Sequence, residues 1–368
     1  MDAHVAGPFP FDAPFPWSLL KLELLEKYTN TLVGILGSRR RICFVDLMAG
    51  EGFYSTGDPG SAGRLAKIAQ THAASGRRVR VIAIEANKAA FTRLEKNTEH
   101  VRAFIEVRHG KWQDQVSGLL GELADEFVFF FVDPMGIKQI PWDSLAPFVA
   151  RPDSELLINF NSGIAARLAG LIVGGTPMPS LDAAMGDDDW KNGVKEALAQ
   201  HTTHHHMAAA YRKRLALEGN YIVSSSPIAK DGDQGQHKYH MMFASRNLKA
   251  FEVVNDILAI QREQIRRSRA LANQLPLFKV TGEQYDLERE AGLINALAES
   301  LASDPTLRGW SGTIEQLRRI AFRTRFAAFK FMYYAAAITL LVDQGRAFVT
   351  GPDKRRAGKL QLSVSVRL

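Results

Sequence analysis

The chain is expected to fold as a doubly wound, mostly parallel α/β sheet followed by a C-terminal helical module. Three features lead there. Apolar runs of strand length alternate with helical segments over residues 38–262. The first of them, "RICFVDLMAG", is continuously apolar and the fourth, "FVFFFVDPMG", very apolar, the pattern of strands covered on both faces. The connections are long enough for crossover helices, which parallel strands require and which cover both faces of a sheet.

Residues 1–37 read as an N-terminal arm and a helix. The prolines of "MDAHVAGPFPFDAPFPWS" favour an extended arm, and Leu19, Leu22, Leu25, Leu32, Ile35 and Leu36 recur at helical spacing. Strand–helix units follow. "RICFVDLMAG" is the first strand, and "SAGRLAKIAQTHAASG" is a helix that stops at Gly76. "VRVIAIEAN" and "KAAFTRLEKNTEH" form the second pair, "RAFIEVRHGKW" and "QVSGLLGELADE" the third. "FVFFFVDPMG" is a fourth strand ending in Asp-Pro, "PWDSLAPFVA" a short helix and "SELLINFNSG" a fifth strand. A poorly patterned helical insertion covers 165–218. "GNYIVSSSPIAK" and "HKYHMMFASRN" then read as an antiparallel pair joined by the polar loop "DGDQGQ", and "LKAFEVVNDILAIQREQIRRSRA" as the last helix on the sheet. Ligands of such sheets sit beyond the carboxyl ends of the strands, which places Asp46, Glu85, Asp133 and Asn159 along one edge.

"DLMAGEG" leaves the first strand with small residues, Ala49, Gly50 and Gly52, where a nucleoside has to approach the backbone. Dinucleotide loops follow G-x-G-x-x-G and seat a pyrophosphate on the helix N-terminus. Here Ser55 stands at the third glycine, and no Lys or Arg lies close in sequence for a pyrophosphate. The loop therefore suits a nucleoside without phosphates, and S-adenosylmethionine (SAM) is the expected cofactor. Glu85, at the end of the second strand, is the expected acceptor for its ribose diol, because a carboxylate takes hydrogen bonds from both hydroxyls. The alternative for Glu85 is a solvated strand-end acid.

"DLMAGEG" resembles the "DLFAGTG" style of first motif in SAM-dependent nucleic-acid methyltransferases, with Met48 in place of the aromatic. Amino-methylating members carry Asp/Asn-Pro-Pro-aromatic after the fourth strand, where the acid orients the target amine and the ring stacks on the base. Asp133 and Pro134 match that motif, and Met135 and Gly136 depart from it. The resemblance implies Asp133 and Pro134 as catalytic positions. Many such enzymes read the adenine amine with an acid after the third strand. Lys111 stands at that place, and Asp114 is the substitute.

Over residues 18–260 the chain resembles the three-Cys-motif partner protein (TcmP) family. The resemblance runs through "KLELLEKYTNTLVGIL", "FVDLMAGEGFYSTGDPGSAGRLAKIA", "FVDPMGIKQIPW", "SELLINFN", "GDDDW" and "MMFASRNLKAFEVVNDI". It implies a class I methyltransferase-like Rossmann core and an associated protein with a three-cysteine, radical-SAM-like motif. Asp46, Gly50, Gly52, Glu85 and Asp133 are the positions it carries over.

The C-terminal module, residues 270–368, has helical segments at about 284–303 and 313–342. "RAFVTGPDKRRAGKLQLSVSVRL" then alternates like two strands around a basic turn, and the whole resembles a winged helix. From Asp304 onward there are 12 Lys and Arg against 4 Asp and Glu, although the net charge of the whole chain is only +7. That concentration points to DNA or RNA, with Lys354, Arg355, Arg356 and Lys359 at the turn as the contact. A solvated basic face is the alternative. Arg318, Arg319, Arg323 and Arg325 are weaker candidates for phosphate, and Phe322, Phe326, Phe329 and Tyr333 recur at helical spacing as core.

No metal site is expected. Cys43 is the single cysteine and lies within an apolar strand. His201 and His205 are spaced to share a helix face in "HTTHHH", but no carboxylate lies within a turn. "DDDW" reads as a helix N-cap. No run is long and apolar enough to span a membrane, and the N-terminus lacks the basic-then-apolar pattern of a secretory signal, so the cytoplasm is the expected compartment. Two functions compete: a SAM-dependent methyltransferase acting on nucleic acid or a partner-presented substrate, and a non-catalytic regulatory partner of the three-Cys protein.

Overall fold

The computed structural model describes residues 16–229, 237–272, 282–321 and 325–368. The expected arm and the loop "DGDQGQ" lie outside the described residues. The chain divides into two compact units, one up to Phe251 and one from Glu252.

Strands β1 (Ile42–Asp46), β2 (Val79–Glu85), β3 (Ile105–His109), β4 (Phe127–Val132), β5 (Ser154–Phe160), β6 (Ile222–Ala229) and β7 (His237–Ser245) make one sheet in the order β3-β2-β1-β4-β5-β7-β6. The first five are parallel; β7 runs antiparallel between β5 and β6. Phe44, Val45 and the run from Phe129 to Val132 are fully buried on both faces, as continuous apolar strands require. Cys43 is buried in β1, and burial pushes its thiol up.

The connections include α2 (Ser61–Ala73), α3 (Lys88–Thr98), α4 (Val116–Glu122) and α5 (Trp142–Ala150). Strand order reverses between β1 and β4, so a crevice opens beyond their carboxyl ends. Register does the rest. Val132 pairs with Ile158, so the next residues on each strand, Asp133 and Asn159, are neighbours at that edge.

The insertion is α6 (Ser162–Val173), α7 (Pro179–Met185), α8 (Val194–Ala199) and α9 (Thr203–Gly219). Its apolar contacts include aromatic ones: Tyr211 of α9 stacks on Phe160 at 4.6 Å, and Trp190 is buried. His201 has φ 56 and precedes α9, so it shares no helix face with His205. In "DDDW" the Asp187 carboxylate accepts from the Asp189 N–H at a single 3-10 turn, and the three acids pair with Arg214, Lys191 and Lys213.

The lead-in helix α1 (Pro16–Leu36) buries Leu22, Leu25, Leu32 and Val33, whereas Leu19 and Ile35 of the expected stripe are exposed. Its buried face includes a polar anchor. The Tyr28 hydroxyl donates to Glu155 on β5, and Ser245 Oγ on β7 donates to the same carboxylate at 2.6 Å. Burial pushes the Glu155 carboxyl up to about 6, with the two hydroxyls pulling the other way.

The second unit begins inside α10 (Leu248–Ala272), earlier than the boundary expected near 262–270. The reason is polar: Asn255 and Asp256 accept the N–H groups of Ala327 and Phe331 at 2.8 Å, and Arg262 donates to the Ala327 carbonyl. Then follow α11 (Gly282–Ala302), β8 (Ser311–Thr313), α12 (Ile314–Ala321), α13 (Phe331–Asp343), β9 (Phe348–Val349), the hairpin β10 (Arg355–Arg356) and β11 (Lys359–Leu360), and β12 (Ser365–Arg367). The expected helix over 313–342 is thus two helices. β8, β12 and β9 form an antiparallel sheet in that order. The hairpin turns on Ala357 and Gly358, both at positive φ, as a tight two-residue turn demands.

Glu155 gives a test of the α1 anchor. Its folded carboxyl binds a proton more tightly than the unfolded one, so its contribution is fully present below pH 4.5 and is lost as pH rises through about 6. Chemical denaturation across pH 4–8 should show Glu155→Gln gaining about 2 kcal/mol on the wild type over that window. Parallel stability curves would show that Glu155 does not titrate there.

Candidate functional site

Beyond the carboxyl ends of β1, β2 and β4 lies a cleft of about 1370 Å³. That exceeds the roughly 300–1,000 Å³ of most single-ligand pockets, so a nucleoside-sized ligand leaves room for a second molecule. Ala49, Gly50, Gly52, Glu85, Asp114, Asp133 and Pro134, seven of the positions expected from sequence, all line it.

The loop after β1 is shaped by Gly50 at φ 61 and Gly52 at φ 74. A Cβ on Gly52 would meet Leu94 Cδ1 at 2.7 Å, so the position admits no side chain without movement. The Ala49 N–H donates to the Ile84 carbonyl, and the Gly50 N–H donates to Glu85 Oε2 at 2.9 Å. Residues 53–59 then form a small excursion, closed by a Phe53–Pro59 bridge and by Gly60 N–H on the Gly52 carbonyl at 2.8 Å. Gly60 is the N-cap of α2. The helix therefore starts nine residues beyond Gly52, unlike a dinucleotide loop that opens directly into its helix.

Glu85 is oriented by two backbone donors, Gly50 N–H and Asn87 N–H at 2.7 Å, one on each oxygen. Each oxygen keeps a further lone pair toward the cleft. Asp114 is exposed on the 3-10 turn after β3, beside Lys111.

Asp46 does not reach the wall. It is 0% exposed beneath the loop, where Oδ1 accepts the Met48 N–H at 3.3 Å and Oδ2 has no hydrogen-bond partner. Burial pushes its carboxyl up to about 7; the Ser61 hydroxyl and the Met48 N–H oppose that, Asp133 adds to it, and Lys21 offsets it slightly.

Asp133 has two partners that sequence reasoning did not find. The Lys21 ammonium of α1 pairs with Oδ2, and Asn159 Nδ2 donates to Oδ1 at 2.7 Å. Asn159 Oδ1 is itself buried without a partner. Tyr54 from the loop excursion and Tyr239 from β7 also line the cleft, and burial with the nearby Asp133 charge raises both phenols. Arg93 of α3 reaches the cleft too, where it pairs with Glu51 at 2.7 Å; Lys111 and Lys138 also line the cleft. Lys21 and Asp133 are 112 residues apart, beyond any local pattern.

The expected phosphate contacts lie in the second unit. Lys354, Arg356 and Lys359 are exposed on the hairpin, while Arg355 pairs with Asp343 at 3.0 Å and with Asp353. Arg318 and Arg325 are buried in ion pairs with Glu315 and Asp304, and Arg319 pairs with Glu315, so these three serve the fold. Arg323 and Phe322 lie outside the described residues; Phe326 and Phe329 sit in the break between α12 and α13 rather than on a helix. Among the described residues no group of three or more His, Cys, Asp or Glu is disposed to hold a metal ion, and no helix is long and apolar enough to cross a membrane.

No family model matches the chain, and no curated protein matches it in sequence. Among solved structures it is similar to the O-methyltransferase TomG from Streptomyces achromogenes, in complex with SAM, at 14% identity and TM-score 0.35, covering 62% of this chain and 80% of that one. It is similar to the O-methyltransferase from Bacillus cereus, in complex with SAH, at 18% identity and TM-score 0.32, covering 66% and 84%. The METTL16 methyltransferase domain matches at 16% identity and TM-score 0.32, covering 63% and 68%. At such scores the likeness fixes no chemistry; the residues of the cleft have to supply it.

Asp46 gives the site its own test. Its folded carboxyl is raised from the ordinary range near 4, so the wild type loses stability as pH rises from about 4 to 7. Asp46→Asn cannot ionise and should be the more stable protein at pH 8, by at most about 4 kcal/mol, with the gap closing below pH 4. Denaturation curves that run parallel at both pH values would count against a buried, strained acid.

Proposed function

We propose that the first unit binds SAM in this cleft and transfers its methyl group to an acceptor held beside Asp133. The observation that carries the reading is the Gly50–Glu85 hydrogen bond, which ties a glycine loop to a strand-end carboxylate on the wall of one cleft. The set of residues fits a nucleoside without phosphates. Glu85 offers two oriented oxygens to a ribose diol, Asp114 offers an acceptor to an adenine amine, and Arg93 is neutralised by Glu51. SAM supplies a methyl group already activated by its positive sulfonium. The protein therefore has to align the acceptor and manage its proton more than supply strong acid or base. Pro134 directs the chain away from Asp133 and keeps that carboxylate at the cleft wall.

The acceptor is nucleic acid or a substrate presented by a partner. In support, the second unit runs helix, strand, helix, helix, strand, hairpin, strand, with the sheet order β8-β12-β9, a topology that fits a winged-helix module. Its α13 has no Lys or Arg, so contact with phosphate falls to the hairpin. One observation favours the second role, a non-catalytic partner of a three-Cys-motif, radical-SAM-like protein. Met135 is 61% exposed beside Asp133, and a methionine there gives a target base no ring to stack on.

Calorimetric titration with SAM separates the two roles. The wild type should bind, and Glu85→Ala should lose about tenfold or more in affinity, the scale of a charged hydrogen-bond acceptor. Folded protein that does not bind SAM sinks the methyltransferase reading. For the hairpin, replacing Lys354, Arg356 and Lys359 with Gln should weaken binding to a DNA or RNA duplex and flatten its salt dependence by about one unit of slope per contact. Arg355→Gln should change it least, because Asp343 and Asp353 already take that charge. An unchanged salt slope in the triple variant removes the hairpin from nucleic-acid contact.

A further inference from the structure

We infer that Lys21 is a catalytic residue of the cleft and that, with Asp133, it selects a hydroxyl oxygen as the methyl acceptor in place of an amine. The inference rests on the SAM-transferase reading above and adds the chemical class of its substrate.

The geometry is an ammonium and a carboxylate side by side on one wall. Lys21 and Asp133 both line the cleft, as an ion pair with side chains 12% and 24% exposed. Asn159 Nδ2 holds the other carboxylate oxygen at 2.7 Å, so Asp133 cannot turn away. Tyr54 and Tyr239 line the same wall. The fold has no need of this pair, since α1 is already anchored by Tyr28 on Glu155 and by its apolar face. A partly buried ion pair adds little net stability, because the desolvation of two charges cancels most of their attraction.

Charge development during transfer decides between acceptors. An alcohol or phenol oxygen has to shed its proton to attack, so negative charge builds on it as the proton leaves, ahead of the bond to the methyl carbon that takes that charge up. The oxygen forms a bond to the methyl carbon, the carbon–sulfur bond breaks with both electrons going to sulfur, and the hydroxyl proton passes to Asp133. The products are the methyl ether and S-adenosylhomocysteine. A hydroxyl can donate to Asp133 and accept from Lys21 at the same time, and the ammonium stabilises the growing oxyanion. A neutral amine becomes positive as it attacks. Lys21 would oppose that charge, and if the amine lone pair accepted from Lys21 it would no longer be free to attack. A lone acid at this place serves an amine; an acid paired with a partly buried ammonium serves a hydroxyl.

The test uses the full chain with SAM carrying a deuterated methyl group, incubated with total cellular RNA and, separately, with desalted cell lysate. After digestion, mass spectrometry assigns the label to oxygen or nitrogen. The expected product is O-methyl, with Lys21→Met slowing transfer on the order of 100-fold, as loss of one oxyanion-stabilising donor does, and Lys21→Arg restoring part of the rate. SAM affinity of Lys21→Met should stay within about threefold of wild type. The double variant Lys21→Met with Asp133→Asn removes both charges; folded, SAM-binding and inactive, it excludes misfolding as the cause. Label on nitrogen, full activity in Lys21→Met, or loss of SAM binding in that variant overturns the inference. A wild type that binds SAM and labels neither pool overturns it as well and leaves the cofactor reading standing. A wild type that does not bind SAM removes the reading beneath it.

Discussion

The hydrogen bond from Tyr28 to Glu155 is the constraint on which the cleft depends. It crosses from α1 to the second residue of β5, in a place where an unpartnered carboxylate would be costly, and Ser245 completes it. Helix geometry then carries the consequence. Lys21 is seven residues before Tyr28, two turns and about 10 Å back along the same face. Fixing Tyr28 near the amino end of β5 therefore puts Lys21 at the carboxyl edge, against the acid that ends β4. The Arg64–Glu26 pair holds α1 to α2 between those points. A helix outside the sheet thus contributes the positive charge that meets Asp133.

Three acids stand at the carboxyl ends of three parallel strands of this sheet, Asp46 and Glu85 as last residues and Asp133 just after β4, and meet three environments. Glu85 takes one backbone N–H on each oxygen and faces the cleft. Asp133 is balanced by the Lys21 ammonium and the Asn159 amide. Asp46 is sealed below both and keeps an oxygen without a partner. Its unfavourable burial is offset at the loop above through the Met48 N–H that it accepts. Stability is given up there for the shape of the loop.

Much of this was legible in the sequence, for local reasons. Continuous apolar runs mark buried parallel strands whatever surrounds them, and glycines at positive φ mark a loop that must pass close to something. The acids at strand ends follow from the sheet rule alone. What stayed hidden depends on distant pairs. Lys21 reads as one more polar residue of an amphipathic helix until the fold brings Asp133 to it, and Arg93 reads as a helix-surface charge until it meets Glu51. The break after α12 was hidden by Phe326, Phe329 and Tyr333, whose spacing mimics a continuous helix. The unit boundary within α10 was hidden because only its first four residues precede it; Asn255 and Asp256, binding the N–H groups of Ala327 and Phe331, tie the rest of the helix to the second unit.

The second unit sharpens what a basic surplus means. Several of its arginines are committed inside it: Arg318 and Arg319 to Glu315, Arg325 to Asp304, Arg346 to Glu299 and Arg355 to Asp343. A count of charges along the chain treats these as equal to Lys354, Arg356 and Lys359, yet an arginine that already has its carboxylate releases little counterion on meeting a phosphate. The helix that follows the break, α13, is apolar almost all round and gives its side chains to the core. The exposed basic hairpin has its return strand tied to α13 by the Leu360 N–H on the Thr339 hydroxyl at 2.9 Å. That bond lets the core of the unit hold an exposed two-residue turn in place, so the basic side chains beside the turn are presented from a rigid support.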